Sequence, residues 1–173
     1  MLISRGLYTR LRRGWFFVLV VVLYAFLSSC QSDILFTADK PFTNALWHKD
    51  TVLRFDYFNQ DTIQPCDLYF YIRHNPTYPH ANLYLFLEID SPEGTRVTDT
   101  VSFMLASPQG EWYGKGFATS KQLLLPYHSD FRFLQLGKYV FSIRHGMRCD
   151  KLPGVEDFGL QIYEHQPKQD AQK

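Results

Sequence analysis

Three cysteines in 173 residues are too few for a disulfide-stapled miniprotein. A surplus of charge is also missing. The 18 Lys and Arg against 17 Asp and Glu give a net charge of +1, which leaves no clustered cation field of the kind that neutralises nucleic-acid phosphates. That near-balance hides an asymmetry, because residues 1–29 contain no Asp or Glu at all yet carry Arg5, Arg10, Arg12 and Arg13. Removing those four leaves 14 basic against 17 acidic residues, a net charge of −3 over the remaining 144 positions. One domain with one core fits that length. A long apolar run is missing too: Trp15–Leu27 is 13 residues long, where a spanning helix needs roughly 20, which makes a plain membrane anchor the weaker reading. No internal repeat, low-complexity segment or capped helical period is visible. The 46% hydrophobic and 17% aromatic content excludes a disordered chain and a coiled coil.

What the N-terminus does contain is an export address. A cationic stretch from Arg5 to Arg13, the apolar run from Trp15 to Leu27 and a small-residue step at Ser28-Ser29 precede Cys30. Leu27-Ser28-Ser29-Cys30 looks like a lipobox, which implies diacylglyceryl transfer to the Cys30 sulfur, cleavage before it and acylation of the new amino group. The plainer alternative makes Cys30 a small residue in an ordinary secretory cleavage site. Two or three acyl chains anchor a protein stably, since each buried methylene contributes about 0.8 kcal/mol and a single chain holds only marginally. Gln31 follows the cysteine where Asp would resemble an inner-membrane retention signal, so the outer membrane is slightly favoured over the inner. The expected organisation is a signal peptide over 1–29, a lipid anchor and tether over 30–41, a domain over 42–165 and a flexible tail over 166–173. The domain is expected on the periplasmic side of the cell envelope.

With Cys30 lipidated, Cys66 and Cys149 remain as a candidate disulfide in an oxidising compartment. Closing a loop of that length would restrict the unfolded chain by about 4 kcal/mol. The alternative is two small hydrophobic residues. His145 with Cys149 supplies too few ligands for a metal site, and no metal or cofactor is expected.

From Thr51 onward apolar residues recur at every second position. Leu53, Phe55 and Tyr57 form one set; Leu68, Phe70 and Ile72 a second; Leu83, Leu85, Leu87 and Ile89 a third. Val101, Phe103 and Leu105, then Tyr139, Phe141 and Ile143, then Phe158, Leu160 and Ile162 complete the series. Period two is the signature of strands with one buried face. Asn75-Pro76, Ser91-Pro92-Glu93-Gly94, Ser107-Pro108-Gln109-Gly110, Leu136-Gly137 and Pro153-Gly154 supply turn chemistry between them. The pattern predicts an all-β domain, an antiparallel two-layer β-sandwich of Ig-like or jelly-roll-like type, with a closed barrel as its competitor. Leu85, Phe103 and Phe141 are expected to meet in its core.

Between Leu53 and Ile162 the motifs run in a definite order. Tyr71-Ile72-Arg73-His74 is followed by Tyr78-Pro79, Asn82-Leu83-Tyr84-Leu85-Phe86, Asp99-Thr100-Val101 and Gly110-Glu111-Trp112-Tyr113-Gly114-Lys115-Gly116. Gly137-Lys138-Tyr139, Arg144-His145-Gly146-Met147-Arg148 and Leu152-Pro153-Gly154-Val155-Glu156-Asp157-Phe158-Gly159-Leu160 close the series. This order resembles the GldH family of gliding-motility lipoproteins. The resemblance implies a lipid-anchored, non-enzymatic component of a motility machinery tied to the type IX secretion pathway, with other motility or secretion envelope proteins as partners and no catalytic residues to carry over.

Three places invite a site. Trp112 and Tyr113, set among glycines, offer flat apolar area for a partner protein or a sugar, although Trp112 also suits a plug at the end of the sandwich. His145 and Arg148 follow a strand, where sites are often built; yet no nucleophile elbow, carboxylate pair or metal motif accompanies them, and Arg148 is expected to bond loop carbonyls or pair with Asp150, Glu156 or Asp157. Tyr69, Tyr71, Tyr84 and Phe86 face away from their strands' aliphatic sets and form a candidate contact stripe. A partner-holding component is the favoured reading, a glycan-binding module its rival, and a hydrolase lacks its catalytic groups.

Overall fold

The computed structural model describes residues 33–116 and 119–166. The expected signal peptide, Cys30 and the tail beyond residue 166 lie outside the described residues. Ten strands run in the order β1 (Ile34–Pro41), β2 (Leu46–His48), β3 (Leu53–Asn59), β4 (Cys66–His74), β5 (Asn82–Asp90), β6 (Arg96–Met104), β7 (Lys121–Phe131), β8 (Gly137–His145), β9 (Lys151–Pro153) and β10 (Val155–Glu164). A 3-10 turn at Thr43–Ala45 separates β1 from β2.

Two four-stranded antiparallel sheets stack face to face. Sheet A has the order β1-β10-β4-β7 and sheet C the order β3-β8-β5-β6, while β2 and β9 form a small ribbon. Apart from the β5–β6 hairpin, the chain passes from one sheet to the other between successive long strands, which is the double Greek key of a jelly roll. Each sheet keeps two edges, so the sandwich is not closed into a barrel. The alternating sets do what their period requires. In β3 and β4 every second residue is buried, Leu53, Phe55 and Tyr57 in one and Leu68, Phe70 and Ile72 in the other, with Phe158, Leu160 and Ile162 of β10 beside them. Leu85 and Phe141 are fully buried as expected, whereas Phe103, on the edge strand β6, is only half-buried and packs against the cluster. Phe70 meets Phe158 at 5.7 Å and Phe103 at 6.0 Å, so rings bridge the two sheets.

Large rings also close both ends. Phe133, in the β7–β8 loop, sits 4.8 Å from both Tyr57 and Tyr139 and 4.9 Å from Phe131. At the other end Trp47 of β2 packs between Phe42 and Phe158, each 5.0 Å away.

Three expectations need correction. The tether expected over 30–41 becomes, from Ile34, strand β1, paired along its length with β10. It lies at a sheet edge and turns only Phe36 and Ala38 toward the core, too few to give a readable period. No strand was expected between Leu105 and Tyr139, yet β7 occupies Lys121–Phe131. Pro126 argues against a central strand, but β7 is an edge, where proline is tolerated. The third correction concerns the disulfide, because Cys66 and Cys149 are both free. Cys66 begins β4, opposite Glu164 and Phe131, whereas Cys149 belongs to the loop leading into β9 at the His74 end. The length of β4 separates those ends by about 27 Å, far beyond the reach of a disulfide.

Candidate functional surfaces

Alternation decides the fates of Trp112 and Tyr113. The segment after β6 doubles back so that Ala106 bridges Trp112 and Lys115 bridges Gln122 at the start of β7. Trp112 therefore points inward, with its ring 4.4 Å from that of His74 and 6.2 Å from that of Tyr78. It packs against the core as an end plug. Tyr113 points outward and is 58% exposed. Gly114 makes this possible, since a Cβ there would stand 2.4 Å from Leu123 and 2.9 Å from the Gln122 carbonyl oxygen.

Tyr113 joins Tyr71, Leu124, Lys115, Gln122 and Gln161 around a shallow depression of about 480 Å³ on the outer face of sheet A. Tyr71 stands opposite Leu124 in the β4–β7 pairing and donates its hydroxyl to Gln122 Oε1 at 3.4 Å. Leu124 is 49% exposed. Tyr69 and Tyr163 extend the same face, edge to face at 5.5 Å. Burial raises the pKa of Tyr69 and Tyr71, so both stay neutral, with apolar rings and hydroxyl tips.

Tyr84 and Phe86 lie on the outer face of sheet C, on the far side of the sandwich from Tyr69 and Tyr71. The four rings thus belong to two surfaces. A groove of about 600 Å³ crosses sheet C here, lined by Val52, Phe86 and Val140 among seven charged side chains. Arg96 pairs with Asp90 and Glu88, and Lys138 with Asp56. Arg54 and Arg144 form no ion pair among the described residues, and Arg144 stacks 5.3 Å from the Phe86 ring centre. The Arg144-His145-Gly146-Met147 motif builds this wall residue by residue. Arg144 faces out over Phe86, His145 turns in beneath Trp47 at 5.5 Å, and Met147 Sδ accepts from the Tyr84 amide at 3.3 Å. A Cβ on Gly146 would lie 3.1 Å from the Phe86 ring, so any other residue would push that ring by a few tenths of an ångström.

His145 and His74 are fully enclosed. Neither ring nitrogen of His145 is hydrogen-bonded, nor is Nε2 of His74. Burial lowers both pKa values, with the Asn75 carbonyl opposing in part at His74. A general base needs access to its proton donor, and neither imidazole has it. Arg148 lies exposed on the loop after β8. Its expected partners are engaged elsewhere: Asp150 pairs with Lys49, and Glu156 and Asp157 pair with Arg73. No group of three or more metal-ligating side chains occurs among the described residues.

Comparison with known proteins gives this surface its context. The family model described as GldH lipoprotein matches residues 34–162. A gliding motility lipoprotein GldH homolog of Christiangramia forsetii is 33% identical over 153 residues, covering 84% of this chain and 91% of its own. The gliding motility lipoprotein GldH of Flavobacterium johnsoniae is 34% identical over 148 residues, covering 85% of this chain and 89% of its own. Among solved structures, the dimeric latent PorU of Porphyromonas gingivalis is matched over 79% of this chain and 14% of that one, with 7% identity and a TM-score of 0.35, too distant to carry an argument. The family match covers both sheets of the sandwich and the relatives align over nearly their whole length, so the chain belongs to the GldH family of gliding-motility lipoproteins.

Proposed function

We propose that the protein is a lipid-anchored, non-enzymatic component of the cell envelope that holds a partner protein in the machinery of gliding motility or type IX secretion. The observation that carries the reading is the tyrosine–leucine surface of sheet A. Tyr71 and Leu124 sit on the outer face of sheet A, joined by Tyr113 from the segment before β7 and with glutamines and Lys115 at the margin, the combination of apolar centre and polar rim found at protein interfaces. Tyrosine gives large contact area for few rotatable bonds, which suits it to a binding hot spot. Cys30 supplies the anchor, and Gln31 slightly favours the outer membrane over the inner. The test is complementation of a deletion strain with Tyr113→Ala and with Leu124→Asp. Both variants should reach the envelope folded and at normal levels yet fail to restore spreading or secretion. Full restoration by both would remove sheet A as the working surface.

The groove of sheet C favours a second reading, binding of an acidic glycan. Its floor is too charged for the centre of a protein interface, and Arg54 and Arg144 are left to take carboxylates beside the Phe86 ring. Binding of oligouronates to the full chain, lost in Arg144→Gln, would establish it.

A further inference from the structure

Apolar side chains exposed singly on a protein surface carry little information; their gathering at one end of the sandwich does. The three most exposed aliphatic side chains among the described residues are Leu134 (80%), Ile63 (78%) and Leu136 (62%). All three belong to the loops that join β3 to β4 and β7 to β8. Phe58, 62% exposed, is the penultimate residue of β3 and faces outward beside that end, and Ile34 and Leu35 are exposed at the start of β1. These positions share one end of the molecule. Asn59 pairs with Gly137, Cys66 with both Glu164 and Phe131, and Ile34 with Tyr163. Leu35 and Phe58 line one depression together.

The loops are built to hold this display. Buried Asn59 donates its amide to the carbonyl oxygens of Phe133 at 3.3 Å and Gln135 at 2.9 Å, fixing the residues on both sides of Leu134. The Gln135 amide donates to the Tyr139 hydroxyl at 3.1 Å, and Phe133 is locked in the core. In the other loop, Asp61 Oδ1 accepts from the amides of Ile63 at 2.7 Å and Gln64 at 3.2 Å, a tight turn with Ile63 at its apex. Two pinned loops therefore present aliphatic side chains outward where a soluble surface would carry polar ones.

The chain itself says what faces this end. Ile34 is four residues after Cys30, a distance that even a fully extended chain spans with about 14 Å. We propose that this end of the sandwich is a membrane-seating surface, in which Leu134, Ile63, Leu136 and Phe58 enter the lipid headgroup layer of the bilayer to which Cys30 is anchored. The inference rests on the lipidation of Cys30. It gives the domain a second point of attachment that stops it pivoting on its short tether and stands both sheets upright on the membrane, with their outer faces open to partners. Apolar side chains entering the boundary between headgroups and acyl chains are the usual means by which a surface-bound element holds a membrane.

Tryptophan quenching by lipid tests this directly. The processed protein retains Trp47 and Trp112, both at the opposite end, about 27 Å along β4 from Cys66. The processed, lipidated protein and its Leu134→Trp and Ile63→Trp variants would be reconstituted into phosphatidylethanolamine–phosphatidylglycerol vesicles, with and without bromine near the top of the acyl chains. The added ring in each variant should be blue-shifted and quenched by brominated lipid, while the emission of Trp47 and Trp112 in the parent protein stays unchanged. Mass spectrometry of the Cys30 peptide separates the two possible failures. Acylated Cys30 with unquenched added rings in both variants overturns the seating surface and leaves the anchor standing. Unacylated Cys30 overturns both. Equal quenching of the parent protein means that the domain lies in another orientation, and shielding of the added rings by an envelope protein, without lipid quenching, assigns this end to a protein partner; either result overturns the proposal.

Discussion

Replacing Trp112 and Tyr113 separately by alanine probes adjacent residues with opposite fates. Trp112 is packed against the core in one cluster with His74 and Tyr78, and removing a large buried ring costs about 3–5 kcal/mol when burial is complete. Trp112 retains some exposure, so Trp112→Ala should cost about 2–4 kcal/mol, including loss of the ring contact with His74 at 4.4 Å. At about 4 °C per kcal/mol for a domain of this size, that is a drop in Tm of about 8–16 °C. Tyr113 presents its ring to solvent, and Tyr113→Ala should stay within about 0.5 kcal/mol. Urea unfolding followed by far-UV circular dichroism measures both without relying on tryptophan emission. If the proposed function is right, Tyr113→Ala abolishes it in a fully folded protein, whereas Trp112→Ala acts only through the amount of folded protein. Equal costs at the two positions, or a cost under about 0.5 kcal/mol at Trp112, would refute the inward and outward assignment.

Three further outcomes follow from the packing. His74 and His145 have pKa values lowered from 6.5 by burial, so the unfolded chain takes up protons first as pH falls. Stability should be level above about pH 6.5 and decline below it, by at most about 1.4 kcal/mol per pH unit for each histidine; His145→Phe should flatten the decline, and an unchanged slope in that variant would contradict the assignment. Burial pushes the Cys66 thiol up to about 11, so alkylation of the native protein should modify Cys149 and reach Cys66 only after unfolding, with non-reducing mass analysis showing no internal bridge. Gly146→Val should displace the Phe86 ring and break its contact with Arg144 at a cost of about 1–3 kcal/mol, read by urea unfolding; a neutral result would mean that the ring has room to spare.

The legible parts of the fold were strands with one face in the core. Leu53-Phe55-Tyr57 and Leu68-Phe70-Ile72 alternate cleanly because every second residue of both strands is buried in the core. The edge strands of sheet A were obscure for physical reasons. β1 turns only two residues inward, and β7 carries a Leu123-Leu124-Leu125 run and Pro126, which together blur its period. The end plugs were also hidden, since Trp47 sits in a three-residue strand and Phe133 in a loop, and no periodicity marks either. Of the candidate surfaces, Tyr113 could be named from its motif, but its neighbours Leu124 and Gln161 come from strands far apart in sequence. The aliphatic tips Ile63 and Leu134 carried no signal at all, because only the topology brings their loops to the end where β1 begins.

The central claim is that the anchored sandwich holds a partner protein through the Tyr113 surface, and site-specific photocrosslinking in living cells tests it most directly. A photoreactive residue at position 113 or 124, in a strain that still moves and secretes, should yield a discrete adduct with an envelope protein of the same machinery, absent when the residue is placed at Thr98 on the far sheet. An adduct from Thr98 with none from positions 113 and 124 would contradict the claim and transfer the working surface to sheet C.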